Sequence, residues 1–125
     1  MNMEVITILY IVNTTLLLLH EIESAYEKEW EILRLPGTIT GFLIFHIPII
    51  LLLLYGLLEI EKGTHFGLIL GLIAGIGGTV PFLVHKILVR RKEHFNLVIS
   101  NVIIYSNVAS GLLLLSYSVH SLLYQ

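Results

Sequence analysis

The sequence has no cysteine and only three prolines in 125 residues, and charged side chains make up 13% of it. Without cysteine there is no disulfide framework, no thiolate zinc site and no thiol nucleophile, and redox compartment leaves no trace. A soluble domain carries about 25% charge, so the deficit excludes an ordinary cytosolic enzyme. The apolar content equally excludes a disordered chain. Basic residues are not in excess: seven Lys and Arg stand against nine Asp and Glu, a net charge of -2. No electrostatic footprint for nucleic acid results. A GxSxG elbow, a phosphate loop and a nucleotide signature are all missing. The zinc-protease pattern HExxH starts at His20-Glu21 but meets Ser24 where its second histidine belongs.

What is present is apolar: 56% of the residues are hydrophobic, and the mean hydropathy is +0.90. A spanning helix needs about 20 apolar residues at about 1.5 Å each. Four stretches qualify when charges are used as dividers: Val5 to His20 with its continuation, Leu35 to Leu58, Gly63 to His85, and Asn96 to Gln125. In hydrocarbon a chain must satisfy its own backbone groups, so these are helices; no stretch alternates with period two. Met1-Asn2-Met3-Glu4 lacks a basic residue, and no A-x-A site follows Leu19, so the first span reads as a retained helix, not a signal peptide. The expectation is an all-α membrane protein, one domain over 1-125, with spans at about 4-31, 37-59, 64-88 and 95-123. Pro36-Gly37, Glu61-Lys62-Gly63 and Arg90-Arg91-Lys92-Glu93 supply short turns. An up-down-up-down four-helix bundle follows.

Lys28, Arg34, Lys86, Arg90, Arg91 and Lys92 gather near turns one and three, whereas Lys62 stands at the other end. The positive-inside rule then puts turns one and three in the cytoplasm and both termini outside, in a prokaryotic plasma membrane. Gly63, Gly67, Gly71 and Gly75 recur every fourth residue, a GxxxG seam for close helix approach within the bundle or in a homo-oligomer. Gly77-Gly78 and Pro81 are expected to break the third helix, which is tolerated at membrane depth against protein or a wet cavity. Ser100, Asn107, Gly111 and Ser118 line one side of the fourth helix as a small-polar packing seam.

The chemistry concentrates after His20. In one continuous helix His20, Glu23, Glu27 and Glu31 fall within an arc of about 80°, while Glu21 and Glu29 point away. Folding the chain at its turns brings His46, His85, Asn101 and Tyr105 near the same depth. Ionisable groups inside a membrane face a bundle interior. Imidazoles and carboxylates are the ligands for zinc, iron or manganese when thiolates are absent, so His20, Glu23, Glu27, His46 and His85 are the candidate metal ligands. Glu27, Tyr105 and Asn101 are the candidate catalytic groups. The bland alternatives are a His46 bonded to a neighbouring carbonyl, a His85 at headgroup level, and a solvated extension carrying Glu27, Glu29 and Glu31. His65, His94 and His120 lie at span ends and read as interfacial.

From His20 to Tyr26, through Glu27-Lys28-Glu29-Trp30-Glu31 to Leu35-Pro36-Gly37, the chain resembles small bacterial and archaeal four-helix membrane proteins of unknown function. In these, related to the HXXEE-motif proteins, the first span ends in a histidine-acidic motif. Ser24 stands where the second glutamate of HXXEE belongs, and Glu23 fits the first. The resemblance implies the fold and no activity. From the residues, the leading expectation is a metal-dependent membrane-embedded enzyme acting on a lipid-like substrate, in contact with the bilayer. The alternatives are an oligomeric channel or transporter for protons or divalent cations, and a structural or accessory subunit.

Overall fold

Four helices long and apolar enough to cross a membrane run through the chain: Met3–Tyr26, Thr38–Glu61, His65–Leu88 and Val98–Tyr124. In this computed structural model, residues 2–89 and 94–125 are described. The expected third turn, Arg90-Arg91-Lys92-Glu93, lies outside the described residues. We label the elements α1 (Met3–Tyr26), α2 (Glu29–Ile32), α3 (Thr38–Glu61), α4 (His65–Phe82), a π-helical segment (Leu83–Leu88) and α5 (Val98–Tyr124). Among the described residues there is no strand. The fold is an all-α four-helix bundle.

Local signals set most boundaries. Asn2 caps α1 by accepting from the Glu4 N–H at 3.0 Å, and Thr64 caps α4 by accepting from the Gly67 N–H at 2.9 Å, each satisfying an orphan donor of the first turn. Gly37, at φ 102°, lets the chain enter α3 from the left-handed region after Pro36. Within the bundle α4 packs against α1, α3 and α5, and α1 against α3, α4 and α5, while α3 and α5 do not meet. Helices α1 and α4 therefore form the centre. The main apolar core joins Ile6 and Tyr10 of α1 to Leu53 and Ile60, Leu68 and Ala74, and Leu114.

Lipid offers no hydrophobic drive for helix association, so close approach and interhelical hydrogen bonds carry it. Gly67 lies against the backbone of Glu59 and Ile60, Gly71 against Ser118, and Gly75 against Gly111. Gly67, Gly71 and Gly75 thus face α3 and α5 of the same chain, whereas Gly63, at φ 68°, belongs to the turn before α4. Asn13 donates to the Ala74 carbonyl at 2.8 Å and accepts from Ser110 at 3.0 Å, tying α1 to α4 and α5. Tyr10 donates to the Leu53 carbonyl at 2.7 Å. Ser100, Asn107 and Ser118 are fully buried on the face of α5 expected to hold a small-polar seam.

Two boundaries differ from the expectation. Helix α1 does not run to residue 31. Lys28 takes a left-handed conformation, φ 51°, and a separate turn of helix, α2, follows with Trp30 and Ile32 buried. The third span is continuous through Gly77-Gly78, which stay α-helical. The irregularity comes one turn later. Pro81 has no N–H to donate, and Leu83–Leu88 are π-helical. π-Bulges of this sort frequently sit at functional sites, and this one carries His85.

Candidate metal centre

At the end of the bundle bearing α2, three ligand atoms converge. One each from His20, Glu29 and His85 lie within 4.8 Å of one another. His20 and His85 are buried at 2% and 9% exposure, so neither imidazole has solvent to satisfy it. His85 Nε2 sits 2.9 Å from Glu29 Oε1, yet outside hydrogen-bonding geometry. His20 Nδ1 is buried with no partner, while its Nε2 lies 3.3 Å from Ser24 Oγ. Phe95 covers the group, stacked on His85 at 3.9 Å and 5.2 Å from the His20 ring. Phe95 is itself buried and held at φ 54°, a conformation that a bulky residue keeps only when its surroundings impose it.

Burial disfavours ionisation of Glu29, but the contacts of His85 and Ser24 with its carboxylate, and the nearby imidazoles, outweigh that and hold it below its ordinary range. Two imidazoles and one carboxylate form a donor set known from catalytic zinc and non-haem iron sites, which leaves coordination positions open. These three residues could hold a metal ion.

Three further acidic side chains find separate partners. Glu21 Oε2 meets His46 Nε2 at 2.7 Å, and His46 Nδ1 lies 2.7 Å from the Phe42 carbonyl. A carbonyl only accepts, so Nδ1 is the nitrogen that donates to Phe42, and Nε2 is left facing the Glu21 carboxylate. Glu21 and His46 form an acid-base pair. Glu27 Oε2 meets His94 Nδ1 at 2.7 Å, and Glu23 accepts from Ser100.

Of the five expected ligands, the structure brings His20 and His85 together. It sets His46 with Glu21, Glu27 with His94, and Glu23 with Ser100. The third member of the cluster is Glu29, expected to point away from the stripe. That expectation assumed an unbroken helix, and the left-handed Lys28 turns Glu29 back toward the bundle. Of the expected catalytic groups, Asn101 accepts from Lys86, and Tyr105 is 54% exposed, near the Phe82 ring and the Lys86 ammonium. No sequence signal marks Lys28 as left-handed, because glycine or asparagine is the usual occupant of that region. The density of glutamates after His20 was the only pointer.

The cluster borders two cavities. The larger, about 500 Å³, lies between α2, α3 and α4 and is lined by Glu21, Glu29, Trp30, Phe42, His46 and Val84 among others. The smaller, about 190 Å³, touches His20 and shares Glu21, Glu29, Val80 and Val84 with it.

Residues 6–121 match the model of a family of unknown function, DUF6713, and the chain belongs to that family. No curated protein and no solved structure matches it.

Proposed function

We propose that this protein is a metal-dependent, membrane-embedded enzyme acting on a lipid-like substrate, with His20, Glu29 and His85 as its metal ligands. The observation that carries the reading is the convergence of those three ligand atoms within 4.8 Å, in a buried pocket beside an apolar cavity. Four helices long and apolar enough to cross a membrane support an integral membrane location. Of the described basic residues, Lys28, Arg34 and Lys86 stand at the end of the fold that holds the cluster and Lys62 at the other, so under the positive-inside rule the cluster's end faces the cytoplasm.

A bound divalent cation supplies Lewis acidity there, polarising a carbonyl or phosphoryl oxygen or acidifying water. The protein's own groups do the rest. Ser24 fixes the orientation of His20 through its Nε2, the outer-shell bond that metal-ligating histidines characteristically make. Phe95 excludes water from the imidazoles. Glu21, on the wall shared by both cavities, and His46, on the wall of the larger, exchange a proton with a substrate group.

Elemental mass spectrometry on protein purified in mild detergent without chelator tests this. About one zinc, iron or manganese per chain is expected, lost in His20→Ala, Glu29→Gln and His85→Ala and kept in His46→Ala. Absence of metal from every sample sinks the reading. A second reading, a proton path, is favoured by the three His-Glu contacts gathered at one end of the bundle. It requires proton flux into liposomes above the empty-vesicle rate, diminished by Glu21→Gln.

A further inference from the structure

The larger cavity is chemically asymmetric. Trp30, Phe42, Phe45 and Ile49 supply apolar walls, and the polar lining is confined to Glu21, Glu29 and His46. Phe45 is 67% exposed, so the cavity opens on the side of the bundle where lipid chains lie. It exists because α3 is the least enclosed span: 6% of its apolar window is buried, against 44% for the third span. Its volume of about 500 Å³ falls within the range of about 300–1,000 Å³ for small-molecule sites. A methylene is comparable in size to a water molecule, roughly 30 Å³, so the cavity takes a chain of roughly 15 atoms.

The polar end defines the head. Among the described residues no lysine or arginine lines the cavity, while two carboxylates do, so these side chains by themselves repel an anionic head. Both ring nitrogens of His46 are engaged, Nδ1 with the Phe42 carbonyl and Nε2 with Glu21 Oε2 at 2.7 Å, so the pair offers a ligand a carboxylate acceptor and no free donor. A hydroxyl donates to that acceptor without bringing a charge. We propose that this cavity binds a single-chain amphiphile with a neutral hydroxyl head, the chain between Trp30, Phe42 and Ile49 and the hydroxyl donating to Glu21. As a statement of substrate class it rests on the metal-enzyme reading, because Glu29 lines the same cavity. As a binding site it stands without metal.

Trp30 is the only tryptophan in the chain and lines the cavity, so its fluorescence reports occupancy. The probe is a brominated hexadecanol added to protein in nanodiscs. Saturable quenching is expected, at least tenfold weaker in affinity for Val84→Phe, which fills the cavity, and unchanged for Leu51→Phe, a lipid-facing control that is 61% exposed. Brominated hexadecanoic acid should bind at least tenfold more weakly than the alcohol. Non-saturating quenching that is equal in all three proteins overturns the proposal. So does tighter binding of the acid. Metal content is measured on the same samples. Saturable quenching without metal upholds the binding site and removes the metal reading, whereas bound metal with non-saturating quenching does the reverse.

Discussion

Gly77 and Gly78 are neighbours in the third span, and the structure assigns opposite outcomes to replacing them with alanine. At Gly77 an added Cβ meets only Leu17 Cδ2 at 3.6 Å, an ordinary contact. Gly77→Ala removes the backbone-entropy cost of a helical glycine and should stabilise by about 0.5–1 kcal/mol. At Gly78 the added Cβ overlaps Asn13 Oδ1 and lies 2.9 Å from the Asn107 carbonyl oxygen, which is backbone. Asn13 must move, giving up its bonds to Ala74 and Ser110. Interhelical bonds in membranes average about 0.6 kcal/mol each, and overpacking a well-filled core costs about 1–3 kcal/mol. Offset by the same helix-propensity gain, Gly78→Ala should destabilise by about 2 kcal/mol. Reversible SDS unfolding of both variants, followed by circular dichroism, reads the sign directly. Equal effects, or a more stable Gly78→Ala, would refute the close approach of α1, α4 and α5 at Asn13, and a helix broken at Gly77-Gly78 predicts that equality.

Lys28→Gly should retain metal and gain up to about 1 kcal/mol, because glycine takes a left-handed φ without the penalty of an L side chain. Lys28→Pro, whose ring holds φ near about -65°, should release metal while leaving span helicity intact by circular dichroism; retained metal would exclude Glu29 as a ligand. Tyr10→Phe should cost about 1 kcal/mol in the same unfolding assay by removing the bond its hydroxyl donates to the Leu53 carbonyl. No change would mean that this bond does not help to hold α1 on α3.

The four spans, the short second turn and the buried polar face of α5 were legible in the sequence because each depends on local information. A run of about 20 apolar residues in lipid has one way to satisfy its backbone, and Pro36-Gly37 or Lys62-Gly63 ends it. His20 and His85 were legible too, as rare polar groups in or beside apolar runs, which are stable only when turned inward. Their common partner was not. Which glutamate reaches them depends on the left-handed turn at Lys28 and on the π-helical segment around His85, and neither has a local signature. Both sit where separate elements pack together, Trp30 of α2 against Phe42 of α3 at 5.5 Å and His85 against His20 of α1 at 5.1 Å. An ideal helical wheel places Glu29 outside the stripe; a single residue of αL geometry turns it in. Composition and hydropathy determined that this chain makes a four-helix bundle with ionisable groups at one end. Only tertiary packing decided which acid meets which imidazole, because that choice is made by long-range packing and electrostatics rather than by the propensities of neighbouring residues.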